Sequence, residues 1–264
     1  MEILGYAAAL FIGISLGLTG SGGSILTVPI LVYLIGLTPV TATAYSLFVV
    51  GATSLVGSFK MYRRNLVRFD TALVFGIPSL VTVLFTRAFL IPAIPDILFS
   101  LGSLLVTKDM LLMLLFALLM VAASYSMIHQ KRRIKPTPQR ASIQYGSVIG
   151  QGMLVGLISG LVGAGGGFLI IPALVLLTGL DMKVAVGTSL FIIAANSLFG
   201  FLGDVLHSSI DWVFLLAFSS LSVAGIFIGT ALSTRINGVK LRKGFGWFIL
   251  AMGLYILLKE IFLR

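Results

Sequence analysis

The residues in this chain best suited to chemistry are two glycine runs, Thr19-Gly20-Ser21-Gly22-Gly23-Ser24 and Gly163-Ala164-Gly165-Gly166-Gly167. Glycine takes positive φ freely and lets a ligand approach the backbone closely. An apolar segment follows each run, starting near Ser24 and near Gly167, and reads as a helix. The first amides of a helix have no intrahelical acceptor and carry the positive end of its dipole. Such an end binds an anion without a formal countercharge. Small residues also serve simply to let helices pack closely. The density of these runs, and their appearance twice, favours a site.

Other polar groups fall inside apolar segments. Tyr45 and Ser46, with Thr188 and Ser189, are candidates to complete an anion's hydrogen bonds. Hydroxyls in helices often bond back to their own backbone. Asn196 is therefore the strongest single candidate, since an amide deep in a span needs a partner. Arg87 is the one cation well inside an apolar segment; near the end of that segment, it can snorkel to the interface or, alternatively, contact substrate. Asp70, Asp181, Asp204 and Asp211 all sit near segment ends and read as solvated or capping residues. The chain has no cysteine and two histidines, and shows no nucleophile–histidine or paired-carboxylate pattern. Neither a catalytic residue nor a metal or cofactor is assigned, and an enzyme is not expected.

The elements that must position these groups follow from composition. Of 264 residues, 58% are hydrophobic and 10% charged, whereas a soluble domain carries about 25% charged residues. With a mean hydropathy of +1.13, the main solvent is lipid. Continuous spans are expected at 39–58, 70–92, 107–129, 182–203, 211–233 and 244–262. Two further apolar regions, 3–37 and 145–180, are too long for one crossing and short for two. Each is cut by a glycine run and reads as a helical hairpin, re-entrant or made of two short spans. The net charge of +10 belongs to loops, so nucleic-acid binding is not expected.

The chain also repeats itself. Shifted by 143 residues, GLTGSGGSILTVPILVYLIGL (17–37) lies over GLVGAGGGFLIIPALVLLTGL (160–180) without a gap, and the match runs on to Gly57 and Gly200. The expected organisation is a first repeat over 1–128, a basic cytoplasmic linker over 129–144 and a second repeat over 145–264. Lys60, Arg63, Arg64 and Arg68 correspond to a loop holding Asp204, His207 and Asp211; Asp96, Lys108 and Asp109 correspond to Arg235, Lys240, Arg242 and Lys243. Short basic loops mark the cytoplasmic side, so equivalent loops face opposite sides and the repeats are inverted. The fold class expected is an all-α polytopic membrane protein of two inverted repeats, each a glycine-tipped hairpin plus three transmembrane helices. Both termini fall outside the cytoplasm. Inverted-repeat transporters aim half-helix N-termini at anionic substrates near the midplane, so two such tips would form one anion site with alternating access. An anion channel is the rival reading.

The doubled glycine hairpin with its proline, the second copy GLVGAGGGFLIIPALVLLTGLDMKVAVGTSL (160–190), and Ile210-Asp211-Trp212 together resemble the sulfite exporter TauE/SafE family. The resemblance implies a permease of the cytoplasmic membrane for a small sulfur-containing anion such as sulfite, thiosulfate or a sulfonate, though another small anion fits the same pattern. The coupling ion, proton or Na⁺, and the oligomeric state are open at this point.

Overall fold

The computed structural model describes residues 2–20, 23–101, 104–129, 145–163, 165–205, 210–232 and 238–262. The expectations placed on Ser21, Gly22, Ala164, His207, Arg235 and the linker beyond His129 lie outside them. The helices are α1 (Glu2–Thr19), α2 (Ser24–Leu34), α3 (Pro39–Tyr62), α4 (Phe69–Ala93), α5 (Lys108–His129), α6 (Tyr145–Val162), α7 (Gly167–Thr178), α8 (Met182–Val205), α9 (Trp212–Leu232) and α10 (Gly238–Phe262). Five of them are long and apolar enough to cross a membrane: α3, α4, α5, α8 and α9. The chain is an all-helical, multi-pass membrane protein. The single departure among the described residues is a two-stranded antiparallel ribbon, β1 (Ile97–Leu101) and β2 (Leu104–Thr107), between α4 and α5. The apolar reading of this stretch did not foresee it.

Local signals set the helix ends. Thr38 caps α3, accepting from the Thr41 amide at 3.4 Å, with Pro39 in the first turn. Gly179, at φ 64°, ends α7 in the left-handed conformation. The Asp211 carboxylate accepts from the Phe214 amide at 3.1 Å and caps α9. Asp70, Asp181 and Asp211 are exposed near helix ends, as expected. Each glycine hairpin has unequal arms. α1 and α6 have 18 residues each, about 27 Å and close to the hydrocarbon thickness. The return arm α7, with 12 residues, spans only about 18 Å.

The packing is reciprocal under the 143-residue shift. α1 lies along α9, and α6 lies along α4; α3 crosses α8, and α5 pairs with α10. A Cβ on Gly13 would strike the Ser222 carbonyl, and one on Gly156 would strike the Ser79 carbonyl. Gly57 meets Ile226 and Leu190, while Gly200 meets Val83 and Leu47. In each case the partners differ by 143 in both members. Lipid supplies no hydrophobic drive between helices, so close backbone approach at small residues holds such pairs. α3 and α8 form the centre, with 67% of each apolar window buried, against 33% for α4. On α4 the residues Leu73, Ile77, Val81, Phe85 and Phe89, one turn apart, are exposed and form a lipid-facing stripe.

Gly13→Leu and Gly156→Leu should each lower thermal stability in detergent by about 1–3 kcal/mol or more, the usual cost of overpacking. Gly146→Leu, where a Cβ meets nothing within 4 Å, should be neutral. Equal unfolding temperatures for all three would contradict the packing.

Candidate functional site

Three positive-φ glycines shape the second turn: Gly163 (71°), Gly165 (65°) and Gly166 (69°). Only glycine holds this conformation without strain. The Gly163 amide donates to the Ser159 carbonyl at 2.9 Å and closes α6. The Leu169 and Ile170 amides both donate to the Gly166 carbonyl, at 3.0 and 3.1 Å, and open α7. The amides of Gly165, Gly166 and Gly167 thus precede the first helical bond. The first turn differs. Among its described residues Gly20 has φ 76°, whereas Gly23 is right-handed at φ −61°.

The two turns meet opposite ends of the α3–α8 crossing. Gly20 packs on Val186 of α8, and Gly163 packs on Thr43 of α3, again a reciprocal pair. A Cβ on Gly165 would lie 2.5 Å from Ser197 Oγ, 3.0 Å from Ile193 and 3.1 Å from Val50. Val50 and Ile193 sit halfway along α3 and α8, so the second turn reaches the middle of the crossing. Gly166 abuts Ser159, 3.0 Å from its would-be Cβ. Gly23 packs on the Ile12 carbonyl and Leu16, so its contacts lie within its own hairpin.

Arg87 overturns the expectation of an interfacial side chain. It lies in a π-helical turn, Thr86–Leu90, at the end of α4 and is 1% exposed. Nη1 donates to Asp204 Oδ2 at 3.0 Å and to Thr43 Oγ1 at 3.1 Å. Asp204 is likewise buried, at 7% exposure, rather than solvated. Nη2 comes within 2.7 Å of where a Gly163 Cβ would be. Nε and Nη2 have no partner among the described residues. Snorkelling would demand a free path to water; the π turn and the Asp204 carboxylate hold the guanidinium inward instead. Desolvating two charges consumes most of what their attraction returns, so this pair is a poor device for stability alone.

The other polar candidates divide into engaged and unengaged groups. The Asn196 Nδ2 donates to Ser79 Oγ at 2.6 Å, and the reciprocal Thr53 Oγ1 donates to Ser222 Oγ at 3.0 Å. Tyr45 Oη accepts the Asp211 amide at 2.6 Å, and Thr188 Oγ1 accepts the Arg68 amide at 3.0 Å. Tyr45 and Thr188 therefore tie down the starts of α9 and α4. Ser189 bonds back to the Val186 carbonyl at 2.9 Å, and Thr19 to the Ser15 carbonyl at 2.8 Å. Ser24 is fully buried. Ser46, Ser54, Ser159 and Ser197 are buried with hydroxyls lacking a partner among the described residues, as is Asn196 Oδ1. Thr43, Ser46, Val50 and Ser54 recur at helical spacing on one face of α3. Sequence reasoning missed Thr43, Ser159, Ser197 and Asp204. Ser54 and Ser197 were available from the repeat, since they are identical residues at equivalent positions.

Comparison with known proteins agrees with this architecture. The family model for the sulfite exporter TauE/SafE matches residues 5–256. A probable membrane transporter protein of Xylella fastidiosa is 30% identical over 251 residues, covering 93% of this chain and 91% of the relative. The probable membrane transporter protein YunE of Bacillus subtilis is 31% identical over 235 residues, covering 83% and 82%. One from Haemophilus influenzae is 27% identical over 267 residues, covering 94% of each. No solved structure matches. Ten helices packed around interrupted, glycine-tipped hairpins, together with these relatives, define a multi-pass membrane transporter. The chain belongs to the sulfite exporter TauE/SafE family.

Thr188→Val removes the acceptor for the Arg68 amide and should cost about 1 kcal/mol locally. Hydrogen exchange read by mass spectrometry should accelerate across 66–70 and stay unchanged at 45–50. Unchanged protection at 66–70 would show that the anchor is idle.

Proposed function

We propose that this transporter carries a small sulfur-containing anion, of the sulfite, thiosulfate or short-sulfonate class, by alternating access between two inverted repeats in the cytoplasmic membrane. One observation carries the reading: a fully buried guanidinium, with Nε and Nη2 unpartnered among the described residues, lies against a glycine turn whose amides at Gly165, Gly166 and Gly167 precede the first helical hydrogen bond. Guanidinium matches the planar or trigonal oxygen face of an oxyanion through paired donors. The helix N-terminus adds positive potential and directional donors. In this assignment Gly163, Ala164, Gly165, Gly166 and Gly167 with Arg87, Ser197, Ser159 and Ser46 hold the anion. Asn196 braces α8 against α4 through Ser79. The first turn, Thr19 to Ser24, forms the equivalent wall from the other side.

Several findings support the inverted-repeat mechanism. Reciprocal contacts give the two halves equivalent surfaces, so a state in which they exchange roles costs little new packing. The α1–α9 and α6–α4 pairs are tightly meshed and suit rigid-body rocking about the α3–α8 crossing. The described glycines of the second turn are buried, so entry of an anion requires α3 and α8 to part. The family name supports a sulfur oxyanion as substrate, and the binding chemistry is compatible with other small oxyanions.

Two experiments test the reading. Ser197→Ala removes a hydroxyl that has no partner among the described residues, so stability should hold while the KM for anion flux in proteoliposomes rises about threefold to tenfold, the loss of one hydrogen bond. Gly165→Leu should abolish counterflow of sulfite, thiosulfate or methanesulfonate, read in preparations that remain monodisperse because the positive φ and the contacts with Ser197, Ile193 and Val50 also strain the fold. Unaltered counterflow in both variants would remove the second turn from the site, and ohmic current without counterflow would make the protein a channel. Because the chain has no cysteine, single Arg64→Cys and Asp211→Cys variants can be labelled from each side. They should react from opposite sides; labelling from the same side would end the inverted arrangement.

A further inference from the structure

We propose that Asp204 is the binding site of a coupling proton, and that its carboxylate and the transported anion take turns on the Arg87 guanidinium. The proposal rests on the reading of the second turn as the anion site. Arg87 and Asp204 sit within one buried pocket of contacts: Nη1 to Oδ2 at 3.0 Å, with Thr43 Oγ1 at 3.1 Å. Side-chain exposure is 0% for Arg87 and 9% for Asp204. As drawn, the pair is neutral. A monovalent anion arriving on the unpartnered Nε and Nη2 would leave one uncompensated negative charge in a low-dielectric interior. A proton on Asp204 restores neutrality.

The groups facing Asp204 leave it as the natural acceptor. On α4 the facing charge is Arg87, while Asp70 is exposed at the opposite end. On α3 the facing group is Thr43; Tyr45 Oη is engaged by the Asp211 amide, and Lys60 Nζ donates to Thr230 Oγ1 at 2.6 Å near the far end. The hairpin from Gly146 to Thr178 contains no titratable side chain. On α8 itself Lys183 is exposed at the other end, and on α9 Asp211 is exposed. His207, three residues beyond Asp204, lies outside the described residues and needs its own control.

The step balances simply. The Nη1–H···Oδ2 bond breaks, Asp204 gains an O–H bond to a proton from the water on the open side, and the freed guanidinium donates to the anion. On the other side the anion leaves, the proton returns to water and the ion pair re-forms. Anion and proton therefore travel in the same direction. Anion-for-anion exchange needs no net proton transfer, because Asp204 can stay protonated throughout.

Proteoliposomes test this with methanesulfonate and ethanesulfonate, monovalent anions whose charges do not change across neutral and mildly acidic pH. In wild type, a gradient of about one pH unit, acid outside, should drive up to about tenfold accumulation if one proton accompanies each anion. A trapped pH dye should report proton entry during net uptake. Asp204→Asn should keep counterflow and lose pH-driven accumulation; His207→Gln should keep both. If Asp204→Asn fails to fold, Asp204→Glu decides: accumulation with a displaced pH profile supports the proposal, and an unchanged profile overturns it. PH-driven accumulation persisting in Asp204→Asn, its loss in His207→Gln alone, or wild-type uptake driven only by a Na⁺ gradient would each overturn it. Absence of counterflow with both anions would overturn the carrier reading and this proposal together; counterflow without proton entry would overturn this proposal alone.

Discussion

An apolar solvent forms no hydrogen bonds, and the arrangement of this protein answers to that constraint. A helix can cross such a medium because it satisfies its own backbone. The Gly163–Gly166 turn cannot, and so it is enclosed by α3, α4 and α8 rather than presented to lipid. Enclosure in turn requires close helix approach, which explains the contacts of Gly156 with Ser79 and of Gly160 with Thr86. The same glycines that break the helix and those that let helices touch belong to one structural economy.

The two halves share a frame but not a chemistry. Equivalent positions make equivalent bonds at Thr53 and Asn196, at Tyr45 and Thr188, and in the seating of Gly20 and Gly163. Symmetry fails at the charges. The counterpart of Arg87 is Thr230, which receives Lys60, and the counterpart of Asp204 is Met61. Around the second turn stand Arg87, Thr43, Ser159 and Ser197, whereas Gly20 and Gly23 of the first pack on Val186, Ile12 and Leu16. The repeated scaffold thus carries unlike charges at equivalent positions.

Much of the frame was legible in the sequence because periodic hydrophobicity and exact spacing survive translation into helices. The span from Pro39, the start of α8 at Met182 and the breaks near Gly20 and Gly163 all fall where the apolar windows and glycine runs put them. The β ribbon was not legible, since a short apolar run such as Ile97–Leu101 fits strand and helix alike. Nor was the true setting of Arg87. Its position near a segment end looked like access to water, but depth along a helix says nothing about which face is enclosed. A usable signal did exist: the charge pattern places Arg87 and Asp204 toward the same side of the membrane, with opposite sign. Tyr45 and Thr188 stood out as polar groups in apolar spans and were candidates for an anion's hydrogen bonds; their hydroxyls accept backbone amides at the starts of α9 and α4. A sequence lists donors and acceptors without saying which of them find each other.

The buried ion pair joins residues that lie 117 positions apart, on opposite sides of the basic connector. During synthesis the first helices enter the bilayer with an unanswered cation, and its counter-ion has not yet been made. Each segment inserted alone carries a bare charge, held in hydrocarbon at a cost or drawn toward the interface. Final seating of α4 thus waits on α8, which carries the counter-charge.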